Sequence, residues 1–161
     1  LEIRIQTPFT MSTPNLDNFV LCWLATASKD RQPNVSPKEV FLFKTKKELW
    51  IANIASPVSL KNIQENPKVC ICGVNIWSQK GFQWKGEATI LGPQDHDFKK
   101  EEALFRTQLQ GRFRIQHILK IAITSTKSVV APSYFFYPNT DEKEQIKQAK
   151  RRYLNYDDNE D

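Results

Sequence analysis

Residues 19–27, FVLCWLATA, form an unbroken apolar run that is too short for a core helix and rich in β-formers, and the KDRQP that follows is a polar turn closed by proline. A strand leading into a hairpin is predicted. Residues 34–43, NVSPKEVFLF, resume extended character, and Pro37 inside them requires an edge or a bulge, where no ladder N–H is needed. KTKKE at 44–48 is the next turn and LWIANI at 49–54 a third strand. The pattern then changes period. SPVSLKNIQENP at 56–67 has a serine at the cap position, proline at the first helical position, apolar Val58, Leu60 and Ile63, and an Asn66-Pro67 stop, which together predict a short helix.

Strands are predicted at 68–74 and at 82–91, with Gly86 marking a bend in the second. Residues 93–109 read as an amphipathic helix whose apolar positions are Phe98, Leu104, Phe105 and Leu109. Strands at 117–124 and 128–137 and a charged helix at 140–153 complete the chain. Short turns between successive strands favour antiparallel pairing, and closure into a barrel removes exposed edges. The patterning alone describes a small β-barrel with helices.

Composition narrows the class. The 161 residues are 40% hydrophobic and 25% charged, as in an ordinary globular domain, and no repeat or linker divides them. One domain is expected over residues 11–155, with 1–10 as a leader preceding the only methionine, Met11, and 156–161 as an acidic tail. The three cysteines, Cys22, Cys70 and Cys72, are odd in number and lack a C-x-x-C spacing, so neither a disulfide framework nor a zinc site is implied and a reducing cytoplasm fits. Cys70 and Cys72 point to one face of their strand, which raises a soft-metal pair against the plainer reading of core packing. No apolar run approaches the roughly 20 residues of a membrane span. The net charge of +5 is spread in short basic groups with acids nearby, the pattern of a solvated surface rather than of a nucleic-acid interface.

Catalytic motifs are scarce. With five glycines and no G-x-G-x-x-G or P-loop, a glycine-rich phosphate cradle is excluded. His96 and His117 stand without a second ligand or a nucleophile motif and read as structural. The informative stretch is 33–86. Ser36 and Lys38 alternate on one strand face, and Ser56, Ser59 and Lys61 lie on the first turns of the short helix, so cation, hydroxyls and helix dipole are available to a phosphate. The same residues also suit a plain N-cap at Ser56 and a solvated charge at Lys61.

Four segments, LATASKDRQPNVSPKEV (24–40), IANIASPVSLKNIQENPKVCI (51–71), SQKGFQWKGEATIL (78–91) and APSYFFYPNTDEKEQIKQAKRRY (131–153), occur in an order and spacing that resemble the pyridoxamine 5′-phosphate oxidase-like family of FMN-binding split barrels. The most specific part is the segment with Asn62 and Asn66-Pro67, followed by the glycine-flanked strand at 80–86. The resemblance implies a six-stranded antiparallel split β-barrel with short flanking helices, forming a homodimer with two flavin mononucleotide sites at its interface. Carried over position by position, the cofactor-binding residues are Ser36, Lys38, Ala52, Asn53, Ser56, Ser59, Lys61, Gln79 and Lys80. Trp77, Trp84 and Tyr134 are either the dimer-interface wall or core aromatics.

Two departures from the family pattern stand out. Family members often carry Arg or Lys where this chain has Val58 and Ser59, leaving Lys61 to substitute. The chain also ends without the Trp- and Arg-containing segment with which vitamin B6 oxidases close over substrate. The resemblance thus leaves open a flavin-dependent oxidoreductase of an unassigned small molecule, a flavin-binding or stress-related protein without turnover, and a barrel for a deazaflavin or haem.

Overall fold

The computed structural model describes residues 19–154; the leader at 1–10, Met11 and the acidic tail lie outside the described residues. Among the described residues seven strands form one antiparallel sheet: β1 (Cys22–Ala27), β2 (Pro33–Lys38), β3 (Phe41–Thr45), β4 (Glu48–Asn53), β5 (Lys68–Asn75), β6 (Lys80–Leu91) and β7 (His117–Val130). Their spatial order is β2-β1-β5-β6-β7-β4-β3. The two edge strands, β2 and β3, are consecutive in sequence and are not hydrogen-bonded to each other, so the sheet curls into a barrel that stays split along this seam. The seam is still narrow enough for Lys38 on β2 to reach Asn53 on β4, while the Ala52 N–H, donating to the Val40 carbonyl at 3.0 Å, extends the β3–β4 pairing by one position.

The strand count is seven rather than six. The predicted strand at 34–43 divides after Lys38, because residues 39–40 carry the chain from one edge of the seam to the other. The predicted strands at 117–124 and 128–137 are one 14-residue strand, β7, whose polar section Ser125–Lys127 pairs with Lys85–Gln83 of β6. This strand ends at Val130. Pro132, which has no N–H to give a ladder, starts a short helix α4 (Ser133–Phe136) where strand was predicted. Gly86 does mark the bend: the β6–β7 register shifts between Lys85 and Gly86, and a Cβ there would lie 2.2 Å from the Ala122 carbonyl oxygen.

Two cores follow from strand alternation. On β4, Leu49 and Ile51 point into the barrel with Cys22, Leu24, Ile71, Trp84, Leu119 and Ile121, while Trp50 and Ala52 point outward. Trp84 is 2% exposed, lies edge-on to Phe43 at 5.3 Å and stacks on Phe82 at 5.7 Å, so it is a core aromatic. The outward residues are covered by Phe98, Phe105, Leu109 and Ile115. The helix predicted at 93–109 is broken into α2 (Phe98–Glu102), a 3₁₀ turn (Ala103–Phe105) and α3 (Arg106–Leu109), and residues 93–97 form a turn closed by the Gly92 N–H on Asp95 Oδ2 at 2.6 Å. Breaking the helix lets Phe98, Phe105 and Leu109 all join the cluster around Trp50 and Ile118. Helix α1 (Pro57–Glu65) plugs the barrel with Ile63, and α5 (Glu142–Leu154) is the predicted charged C-terminal helix.

Candidate functional site

Period-two alternation on β2 places Asn34, Ser36 and Lys38 on one face, while Pro33, Val35 and Pro37 face solvent. The inward face meets the first two turns of α1 and the end of β4. Lys38 is 5% exposed and its Nζ donates to Asn53 Oδ1 at 3.4 Å and to Ser56 Oγ. Ser36 and Ser59 share a hydrogen bond of 2.9 Å between their hydroxyls. Asn34 Nδ2 donates to Ser59 Oγ at 3.1 Å and to Thr26 Oγ1 at 3.2 Å, and Asn62 Nδ2 donates to the same Thr26 oxygen at 3.1 Å. Ser59, Asn62, Thr26 and Asn53 are all buried.

The amino end of α1 has an unusual balance. Ser56 occupies the cap position, yet its side chain makes no cap hydrogen bond; the hydroxyl accepts from Lys38 instead. The plain N-cap reading of Ser56 is thereby corrected. Pro57 at the first helical position has no N–H, and no acidic side chain stands in the first turn. The amides of Val58 and Ser59 therefore keep their donor capacity and the positive end of the dipole is uncompensated. Lys38 lies beside this end through Ser56. Burial pushes the Lys38 ammonium below the usual lysine range, and pushes the Cys22 thiol, its partner across the β1–β2 ladder, up to about 12 although the Lys38 charge opposes that rise. A buried lysine, two amides with no partner inside the helix and the positive end of a helix dipole thus lie together at the amino end of α1.

Of the nine sequence-predicted residues, five (Ser36, Lys38, Asn53, Ser56 and Ser59) come together here. Ala52 adjoins them through the backbone only, since its side chain lies in the outer core. Lys61 is exposed on α1, as is Val58. Gln79 and Lys80 form a separate group at the β5–β6 hairpin. Gln79 adopts a left-handed φ of 55° and accepts from Gln145 Nε2 at 3.2 Å, while Lys80 pairs with Glu142 at 2.6 Å and lies 4.5 Å from the centre of the Tyr134 ring. Tyr134 OH in turn donates to the Ser78 carbonyl at 2.8 Å. Helix α5 thus holds the hairpin.

Thr26, Asn34 and Asn62 are part of the network but were not singled out as site residues by the sequence. Asn34 carried a usable signal, the same alternation that picked out Ser36 and Lys38; Thr26 sits inside an apolar run and carried none. Among the described residues no group of three metal-ligating side chains occurs, and His96 is an exposed partner of Asp97.

Solved structures with the same fold include HupZ of Group A Streptococcus, 20% identical, covering 75% of this chain and 99% of its own with a TM-score of 0.60. An FMN-binding protein from Syntrophomonas wolfei subsp. wolfei is 16% identical over 71% of this chain and 80% of its own, TM-score 0.59. An F420 reductase is 15% identical over 70% of this chain and 92% of its own, TM-score 0.54. No curated protein matches the chain significantly. The family profile described as Pyridoxamine 5′-phosphate oxidase matches residues 14–129, which span the β2 face, the amino end of α1 and the β5–β6 hairpin, and the chain belongs to that family.

Proposed function

We propose that the chain binds flavin mononucleotide, with the phosphate received between β2 and the amino end of α1, and works as a flavin-dependent oxidoreductase on a small molecule. The carrying observation is that α1 begins without a side-chain cap or an acid, while the buried Lys38 is anchored on the very serine that would otherwise cap it. A phosphate oxygen fits that donor set: the Val58 and Ser59 amides and the Lys38 ammonium are all donors, and Asn53 and Ser56 hold the ammonium in place. Ser36, Asn34 and Thr26 act one layer below by fixing Ser59, whose amide faces the anion. Gln79 and Lys80, on the α5-braced hairpin, are assigned to the ring side of the ligand.

The flavin supplies the redox chemistry; this chain supplies position, charge and access. In this reading the protein is a cytoplasmic homodimer with its sites at the interface. Titration of FMN into the purified protein, read by quenching of flavin fluorescence, is expected to saturate in the micromolar range at one ligand per protomer, with riboflavin weaker. Failure of FMN to saturate, or saturation by a deazaflavin alone, overturns the assignment.

A further inference from the structure

The cysteines separate into two environments that the sequence did not distinguish. Cys22 is wholly buried in the barrel core. Cys70 and Cys72 are not core residues at all: on β5 it is Val69, Ile71 and Gly73 that point inward, and the two cysteines stand half-buried on the outer face. The core-packing reading of this pair is therefore corrected. Register fixes their surroundings. Cys72 lies between Trp23 of β1 and Gln83 of β6, and Cys70 between Ala25 and Lys85.

We propose that Cys70 and Cys72 form a two-thiolate site for a monovalent soft cation of the copper(I) or silver(I) class. Strand geometry sets their Cα atoms about 6.7 Å apart with parallel side chains, at the far end of the disulfide range of roughly 4.4–6.8 Å. A linear thiolate–metal–thiolate bridge asks less of the backbone. With metal–sulfur bonds of about 2.3 Å the sulfurs need to stand about 4.6 Å apart, which each side chain reaches by leaning about 1 Å along the strand. Among the described residues no third His, Cys, Asp or Glu joins a metal-binding group, so the site cannot offer zinc its four ligands, and two soft donors suit a cation that takes two.

Charge and protons balance. Burial pushes both thiols above the usual cysteine range, and the neighbouring Cys70 adds to the rise at Cys72. Binding exchanges two protons for one M⁺, leaving an RS–M–SR unit of charge −1, and no electron is transferred. Lys85, whose charge favours the Cys70 thiolate, stands beside Cys70 to offset that charge.

The test uses the whole protein, reduced and free of oxygen. A thiol reagent is expected to modify two of the three cysteines in the folded state, and one equivalent of silver(I) to protect both while releasing two protons. Cys70→Ser and Cys72→Ser are each expected to weaken silver binding at least 100-fold in competition with a chelator, and zinc(II) to bind neither the native protein nor the variants at that strength. Two unreactive thiols in the folded protein, protection of only one, or full silver affinity in either serine variant overturns the proposal. The protection and proton counts are made on the unsubstituted chain, so a variant that fails to fold does not remove the test.

Discussion

Replacing Lys38 by methionine keeps the length and most of the volume of the side chain but removes its ammonium, the buried cation of the network that joins β2, β4 and α1. Charge-assisted hydrogen bonds contribute about 1.5–3 kcal/mol each, so losing the lysine–phosphate contact is expected to weaken FMN binding about 10- to 150-fold. Riboflavin lacks the phosphate and is the internal control. Its affinity is expected to change by less than about threefold, because Lys38 faces the amino end of α1 and not the β5–β6 hairpin assigned to the ring. Both ligands are titrated against native protein and Lys38→Met by fluorescence quenching, after thermal melts have shown that the variant folds. The informative quantity is the ratio of the two losses. Equal losses for FMN and riboflavin would refute the placement of the phosphate at Lys38, since a general loosening of the site affects both alike.

Three further outcomes follow from the same geometry. Because burial lowers the folded-state pKa of Lys38 below its unfolded value, the unfolded chain binds the extra proton between the two; stability is therefore expected to rise with pH across that window up to about 10.4, and the local slope to vanish in Lys38→Met, as read from urea melts at stepped pH. Ser59→Ala removes the hydroxyl that joins Ser36 and Asn34 in a buried setting, which is expected to cost about 1–2 kcal/mol and lower Tm by about 2–8 °C in calorimetry. In Gly81→Ala the new Cβ would meet the Gly73 carbonyl oxygen at 2.0 Å, backbone against backbone, so the cost is expected to reach or exceed the roughly 3 kcal/mol end of overpacking penalties; near-native melting of that variant would contradict the β5–β6 register.

Elements set by local rules were legible in the sequence. Helix α1 was bounded correctly because a proline at the first helical position and an Asn-Pro stop each act within a few residues, although the Ser56 side chain does not cap it. Gly86 announced its bulge for the same reason. What failed were readings in which distant pairing outweighs local pattern. The polar residues from Ser125 to Ser128 look like a turn, yet β6 alongside them supplies a partner for each, and β7 runs through. Residues 93–109 look amphipathic as one helix, but the outer core accepts Phe98, Phe105 and Leu109 only when the helix is broken.

The site divides along the same line. Ser36 and Lys38 were readable as a pair because period-two alternation is local, whereas the partner of the Ser56 hydroxyl was not, since Lys38 is separated from it by 18 positions and meets it only after the sheet has curled. The prolines of β2 connect the two. Pro33 and Pro37 have no N–H for a ladder, so β2 tolerates them only as an edge strand, and its other edge stays unpaired. That unpaired edge is the seam of the barrel. Alternation turns Asn34, Ser36 and Lys38 of this edge strand toward α1 and Asn53, so the two prolines that keep β2 at the edge also keep it beside the helix end where the phosphate is proposed to sit.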